Sequence, residues 1–302
     1  MKKNQLGKSE LAVSEIGFGS MSLGKNEQQD IRILHEAIDR GVNFIDTADL
    51  YGFGEIEKTV GKALKGNRDN VILATKAGNH WEEGKDGWYW DPSKDYIKQA
   101  AKNSLKRLGT DYIDLLQLHG GTIEDPIDET IEAFEELKQE GLIREYGISS
   151  IRPNVIREYV KRSNIVSVMM QYSILDRRPE ETVLPLLEKN KISVVARGPV
   201  AKGMLTEKAS EKTPENGFLD YTKKEVLNVA EQVQGMAGED RSEAQLALRY
   251  ALNHPAVATA IPGASRLDQL IENIGAANVE LAPEEIETLR RVSKANQYEK
   301  HR

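Results

Sequence analysis

The 302-residue chain contains no cysteine. That absence removes disulfides, thiolate zinc sites, iron–sulfur clusters and cysteine nucleophiles together, and it makes a reducing cytoplasm the natural home. Proline is scarce, at ten residues, and no apolar run approaches the length of a membrane span. The opening MKKNQLGKSELAVSEIGFG has two lysines but polar residues where a secretory signal needs an apolar stretch, so no targeting segment is expected. Positive charge is in deficit: 41 Lys and Arg stand against 48 Asp and Glu, a net charge of −7. Bulk binding to nucleic acid or an anionic membrane is thereby disfavoured, although a local basic pocket for a phosphorylated ligand stays open. With 39% hydrophobic and 29% charged residues, the composition is that of a folded globular chain.

Short apolar runs rich in β-branched residues alternate with amphipathic stretches, the pattern of βα units around a parallel sheet. Eight runs are readable: EIGFGSM (15–21), NFIDTA (43–48), VILATK (71–76), YIDLLQLH (112–119), EYGISS (145–150), VSVMMQYS (166–173), ISVVARG (192–198) and ATAIPG (258–263). Between them Ile31, Leu34 and Ile38, then Ile127, Ile131, Phe134 and Leu137, then Leu246, Leu248 and Leu252 recur at roughly helical spacing. Gly41, Gly66, Gly109 and Gly141 stand where those helices would stop. A period of roughly thirty residues repeated through eight strands predicts an α/β fold, a (β/α)8 TIM barrel rather than a doubly wound sheet. No linker marks a second domain, so 1–302 is expected to form one.

Several pieces exceed that plan. QLGKSELAV reads as an N-terminal β-hairpin turning at Gly7–Lys8 and plugging the bottom of the barrel. Asn79–Tyr96 is a long loop that holds all three tryptophans, Trp81, Trp88 and Trp90. Residues 200–240 make a long connection rich in Lys, Glu and Gly, and an extra helix is expected towards the C-terminus. Long loops at the C-terminal ends of barrel strands are where such a fold builds its site. The tryptophans are therefore expected to wall a substrate pocket for an aldehyde or ketone with an apolar or aromatic body, or, in a plainer reading, to pin the loop down.

Side chains that end barrel strands share one mouth, so strand termini can be compared directly. Asp46 ends the second strand, Tyr51 follows five residues later, Lys76 ends the third and His119 the fourth. An acid, a phenol, an amine and an imidazole converge there, with no metal-binding cluster beside them. A phenol, whose ordinary pKa is ~10, donates a proton more readily beside an ammonium. Lys76 is placed to supply that charge, Asp46 to hold Lys76, and His119 to hydrogen-bond a substrate oxygen. Such a group suits protonation of an oxygen as a carbonyl is reduced. Taken singly, Lys76 and Asp46 read as an ion pair, Tyr51 as a loop aromatic and His119 as a buried histidine.

NFIDTADLYG, ILATK, SLKRLGTDYIDLLQLH, GLIREYGISS and IPGASRLDQLIENIGAA together resemble the aldo-keto reductase family, in order and spacing, from Lys3 to about Leu289. The resemblance implies a (β/α)8 barrel that binds NADPH without a Rossmann fold and reduces aldehydes or ketones. It makes Asp46, Tyr51, Lys76 and His119 the catalytic positions: hydride passes from nicotinamide C4 to the carbonyl carbon, and Tyr51 protonates the oxygen. It puts Ser20 and Met21 near the nicotinamide, Asp46 at its ribose, and Ser149 and Gln171 at the carboxamide. Gly198, Pro199, Val200, Ala201 and Lys202 match the segment under the pyrophosphate, with Lys208 further along. Ser265, Arg266, Gln269, Glu272 and Asn273 match the adenosine end, where a helix starting near Arg266 would offer its amides to a phosphate. Ser150 stands where many members have Asn. Arg197, in VVARGPV, replaces the aromatic ring usual beside the nicotinamide, and a guanidinium plane can stack there too.

Two motifs compete with this reading. Gly17-Phe-Gly19-Ser-Met-Ser22 begins like a dinucleotide-binding turn but lacks the third glycine. The run from Gly19 to Gly24-Lys25 has P-loop spacing, yet Asn26 replaces the hydroxyl that should ligate magnesium. A different class of function, an NADPH-holding redox sensor read by a protein partner, is allowed because the family's potassium-channel β-subunit branch acts so; the complete tetrad favours an enzyme with a small-molecule carbonyl substrate.

Overall fold

The computed structural model describes residues 1–302, and all eight expected strands form, most shortened at their ends, with the fifth beginning two residues earlier than expected, the eighth one residue earlier, and the third ending one residue later. Ahead of them, β1 (Lys3–Gln5) and β2 (Ala12–Ser14) make an antiparallel hairpin. The barrel strands are β3 (Phe18–Gly19), β4 (Phe44–Asp46), β5 (Ile72–Ala77), β8 (Ile113–Leu118), β9 (Ile143–Ser149), β10 (Ser167–Gln171), β11 (Ser193–Arg197) and β12 (Val257–Ile261). A two-stranded ribbon of β6 (Asn79–His80) and β7 (Tyr89–Trp90) stands in the tryptophan loop. Helices α1 (Glu27–Asp39), α2 (Glu55–Leu64), α3 (Lys94–Leu108), α4 (Ile127–Gln139), α5 (Pro153–Arg162), α6 (Val183–Lys189), α9 (Glu243–Leu252) and α10 (Leu267–Gly275) surround the sheet. Of the four glycines expected to end helices, Gly109 caps α3 and the others follow α1, α2 and α4 closely, all at positive φ.

The sheet is wholly parallel in the order β12-β11-β10-β9-β8-β5-β4-β3. Its two edges meet at a seam where Ile16 bridges Ala260 in parallel, Gly17 donates to the Ala260 carbonyl at 2.9 Å, and Gly19 donates to that of Pro262 at 3.1 Å. A Cβ on Gly19 would lie 3.0 Å from the Ile261 carbonyl oxygen, and one on Gly17 would lie 3.0 Å from the Ile261 side chain. These glycines serve close approach across the seam, which disposes of the dinucleotide-turn motif. Asn26, where a P-loop needs a hydroxyl, instead caps α1 by accepting from the Gln29 amide at 3.1 Å.

The hairpin does plug the barrel. Leu6, Leu11 and Val13 pack with Phe44, Ala74, Leu115, Met169, Val195 and Ala258 in a cluster inside the ring of strands. Gly7 in the turn has φ +60°, and a Cβ there would stand 2.2 Å from the Val166 carbonyl oxygen. Gly7→Ala is therefore expected to destabilise the fold by at least ~2 kcal/mol, combining left-handed strain with a displaced plug. Urea denaturation reads this out, and an unchanged midpoint would mean the hairpin does not brace the barrel.

Residues 200–240 are more ordered than a loop. They contain the short α7 (Ala209–Lys212) and the fourteen-residue α8 (Lys223–Met236), which starts on a capping box of Thr222 and Glu225. The expected C-terminal helix is α11 (Pro283–Val292), and it packs against α8 outside the strand–helix repeat. No helix is long and apolar enough to cross a membrane.

Candidate active site

Asp46 is the last residue of β4, Lys76 the penultimate residue of β5, and His119 follows β8 directly. Parallel pairing brings all three to the C-terminal rim. Tyr51 reaches the same place by a loop: its amide donates to the Ala48 carbonyl at 3.2 Å, and Gly52, Phe53 and Gly54 then take φ values of 57°, 50° and 87° to turn the chain into α2. Phe53 in that conformation stores strain, as non-glycine residues there usually do near functional sites.

Lys76 is the hub. Its Nζ donates to Asp46 Oδ2 at 2.7 Å, to the Thr47 carbonyl at 2.6 Å and to the Tyr51 hydroxyl oxygen at 3.4 Å. Those three acceptors use all three ammonium hydrogens. Lys76 and Asp46 are 1% and 2% exposed, so the pair survives only because each compensates the other. Burial pushes the Asp46 carboxyl up, against the pull of Lys76 and Gln117. Burial disfavours the Lys76 ammonium, but Asp46 and Tyr51 together hold it above the usual lysine value. The Tyr51 hydroxyl, accepting from Lys76, has its own proton free for another acceptor.

The His119 ring meets the Tyr51 ring edge-on, with centroids 5.9 Å apart at 80°. Burial, with the charges of Lys76 and Arg197, pushes its imidazole down to about 3, so it is neutral at pH 7. His119 Nδ1 is buried without a partner. The site thus presents the Tyr51 hydroxyl and a neutral imidazole, backed by one ammonium.

The remaining expected residues divide into those that gather around this mouth and those that stand apart. Ser20 is buried, its hydroxyl without a partner, whereas Met21 beside it is 73% exposed. Ser149 and Gln171 end β9 and β10, and Gln171 is in register with Arg197 at the end of β11. Arg197 is half-buried, and burial pulls its guanidinium below the usual value; the charges of Tyr51, Asp176 and Tyr298 favour it without bonding it. Gly198, Pro199 and Val200 lead into Ala201 and Lys202, which both have positive φ. Lys208 lies on the following turn, its nearest carboxylate Glu207 at 3.8 Å. At α10, Gln269 accepts from the Ser265 amide at 3.1 Å, and Asn273 donates to the Gly263 carbonyl at 3.3 Å. Glu272 accepts from Gln245 through its carbonyl, and exposed Arg266 pairs with Asp268 at 2.9 Å. Ser150 is buried, its hydroxyl accepting from the Arg152 amide at 3.2 Å.

The three tryptophans separate. Trp90 lies against Gly78 and Gly120, where a Cβ on Gly78 would stand 2.7 Å from its ring, and its indole N–H donates to Asp125 at 3.0 Å. It is thus packed on the residue after His119. Trp88 is 55% exposed. Trp81 carries the Arg107 guanidinium over its ring and meets Phe53 edge-on, and it lines a polar cavity of about 1030 Å³ that none of the four tetrad residues lines. His80 stacks between Tyr89 and Tyr96, fixing the ribbon to α3.

The sequence reading passed over two contributors. The Thr47 carbonyl carries no signal in a side-chain pattern. Gln117 does: it is the one amide within β8, two residues before His119 and so on the same strand face.

The aldo/keto reductase family model matches residues 15–294. An uncharacterized oxidoreductase of Bacillus subtilis, YqkF, is 60% identical over 307 residues, covering 100% of both chains. The NADH-specific methylglyoxal reductase of Escherichia coli is 32% identical over 323 residues, covering 98% of this chain and 99% of its own. Among solved structures, the aldo-keto reductase AKR11C1 of Bacillus halodurans in its holo form is 58% identical, with a TM-score of 0.93 over 100% of this chain and 99% of its own.

Proposed function

The chain belongs to the aldo/keto reductase family, and on that premise we propose that it is an NADPH-dependent, cytoplasmic reductase of small aldehydes or ketones in which Tyr51 is the proton donor. One observation carries the proposal: the Lys76 ammonium bridges the Asp46 carboxylate at 2.7 Å and the Tyr51 hydroxyl at 3.4 Å, opposite a neutral His119. A bound nicotinamide coenzyme supplies the hydride. A His119 ring N–H and the Tyr51 hydroxyl hold the carbonyl oxygen, Tyr51 gives it a proton as charge develops there, and Lys76 stabilises the phenolate left behind. Asp46 keeps Lys76 charged and aimed.

The residues present fit such a coenzyme. Ser20 offers a buried hydroxyl without a partner, Arg197 a guanidinium without a hydrogen-bonded carboxylate, and α10 a helix start with an arginine at its N-cap that makes no capping bond. The test is NADPH oxidation across a panel of aldehydes, ketones, quinones and sugars. Multiple turnover with at least one class supports the reading, whereas tight coenzyme binding without turnover would sink it.

Coenzyme choice rests on Arg266 and Lys208, the cations nearest the expected 2′-phosphate. Arg266→Ala should weaken NADPH by about tenfold and NADH much less, since only the former carries the group a charge-assisted bond would recognise. Asp268 already holds Arg266 and moderates the effect. Equal losses for both coenzymes in a fluorescence titration would assign Arg266 to the structure of α10.

Arg197 should bias the same site. Its fixed cation disfavours the positively charged oxidised nicotinamide relative to the neutral reduced one by ~1 kcal/mol after screening, roughly a fivefold effect. Titrating Arg197→Tyr with both forms should show NADP⁺ gaining on NADPH; an unchanged ratio would place the guanidinium away from the ring.

A further inference from the structure

One further buried side chain is hydrogen-bonded to a tetrad side chain and has no role above. Gln117 is 0% exposed, in register with Lys76 on one side and with Gly147 on the other. Leu115, two residues earlier on the same face, shows that an aliphatic side chain suits this strand at less desolvation cost. Gln117 Nε2 donates to Asp46 Oδ1 at 3.4 Å, while Lys76 occupies Oδ2 at 2.7 Å. Each carboxylate oxygen therefore has its own donor, and rotating the carboxyl would disturb both. Gln117 Oε1 has no partner, and the opposite amide orientation would set an acceptor against a carboxylate.

We propose that Gln117 is a positioning residue for carbonyl reduction: by holding Asp46 Oδ1 it fixes Oδ2 on Lys76, and so fixes the ammonium beside the Tyr51 hydroxyl. The inference rests on the proposed role of Tyr51. Gln117 also favours the ionised Asp46 carboxylate against its burial. Every charged or titratable group facing that carboxylate bears on the outcome: Lys76 from β5, Tyr51 from the loop after β4, His119 beyond β8 and Arg197 from β11. Asp49 lies near Lys76 from the other side, with Glu57 and Arg107 behind it.

The experiment compares wild type, Gln117→Met and Gln117→Glu in kcat against pH, with coenzyme affinity and urea stability measured alongside. Methionine keeps the bulk and removes the donor. Its kcat at pH 7 should fall about tenfold, and the acid limb should move up by about one pH unit, because Asp46 loses a hydrogen bond that favours its charged form. Glutamate keeps the shape and restores a donor only while a proton is shared between the two carboxyls. Gln117→Glu should therefore approach wild-type turnover at low pH and lose it as pH rises, the reverse of the methionine variant. Lower stability with the wild-type pH profile in both variants would overturn the proposal and make Gln117 a packing residue. Full turnover in Tyr51→Phe would instead remove the premise, a failure recognisable because it appears with Gln117 intact.

Discussion

Replacing Tyr51 by Phe is expected to lower kcat for carbonyl reduction by at least ~10²-fold, the usual scale for losing a positioned general acid, while leaving fold and coenzyme affinity nearly intact. Only one hydroxyl is removed. The Lys76–Asp46 bond at 2.7 Å and the Lys76–Thr47 bond at 2.6 Å need nothing from Tyr51, so the ammonium stays anchored. His119 cannot substitute as the acid. Its imidazole is held down to about 3, so at neutral pH it lacks the acidic imidazolium proton, its remaining N–H is far too weak an acid to give up, and it should produce no inflection near its ordinary pKa in the wild-type rate profile. Near-native turnover in the phenylalanine variant would show that the proton comes from elsewhere.

Lys76→Met should do more damage, because it removes one partner of a buried pair. Activity is expected to fall at least as far as in Tyr51→Phe, and stability by ~3–5 kcal/mol, since Asp46 would be left as an uncompensated charge at 2% exposure. The loss should depend on pH in a fixed direction. Without Lys76, burial outweighs the remaining pull of Gln117 and Arg197 on Asp46 and raises its folded pKa above the unfolded value, so the folded state then binds the proton more tightly. The penalty is accordingly smallest at low pH and grows as pH rises through the unfolded carboxylate range. Adding Asp46→Asn should recover part of the stability but none of the activity. Urea denaturation of both variants at two pH values tests this, and a pH-independent loss would mean that Asp46 finds another counter-charge.

The fold was legible because parallel strands covered on both faces leave apolar runs such as VILATK and IDLLQL that need no alternation to be recognised. The tetrad was legible for the complementary reason: Asp46, Lys76 and His119 interrupt those runs at their ends, where an unpaired charge would be costly without a purpose. Gln117 interrupts a run in the same way, one strand position before Leu118, but an amide attracts less notice than a charge. Helix α8 was obscured by its Lys, Glu and Gly content, although Thr222 and Glu225 have capping-box spacing. The parting of the tryptophans was not legible at all. It depends on Arg107 from α3 reaching Trp81 and on Gly78 and Gly120 leaving room for Trp90, contacts that a local pattern does not encode.

The seam between Ile16 and Ala260 has a kinetic consequence. It joins segments near opposite ends of the chain, so the cylinder cannot close until β12, among the last elements to leave the ribosome, is available. Until then β3 and β11 are open strand edges, templates for association with other chains. Contacts of such sequence separation slow the final step. Folding should therefore pass through an incomplete barrel whose exposure ends only with the last strand, and chains truncated before Val257 should aggregate rather than persist as smaller folded units.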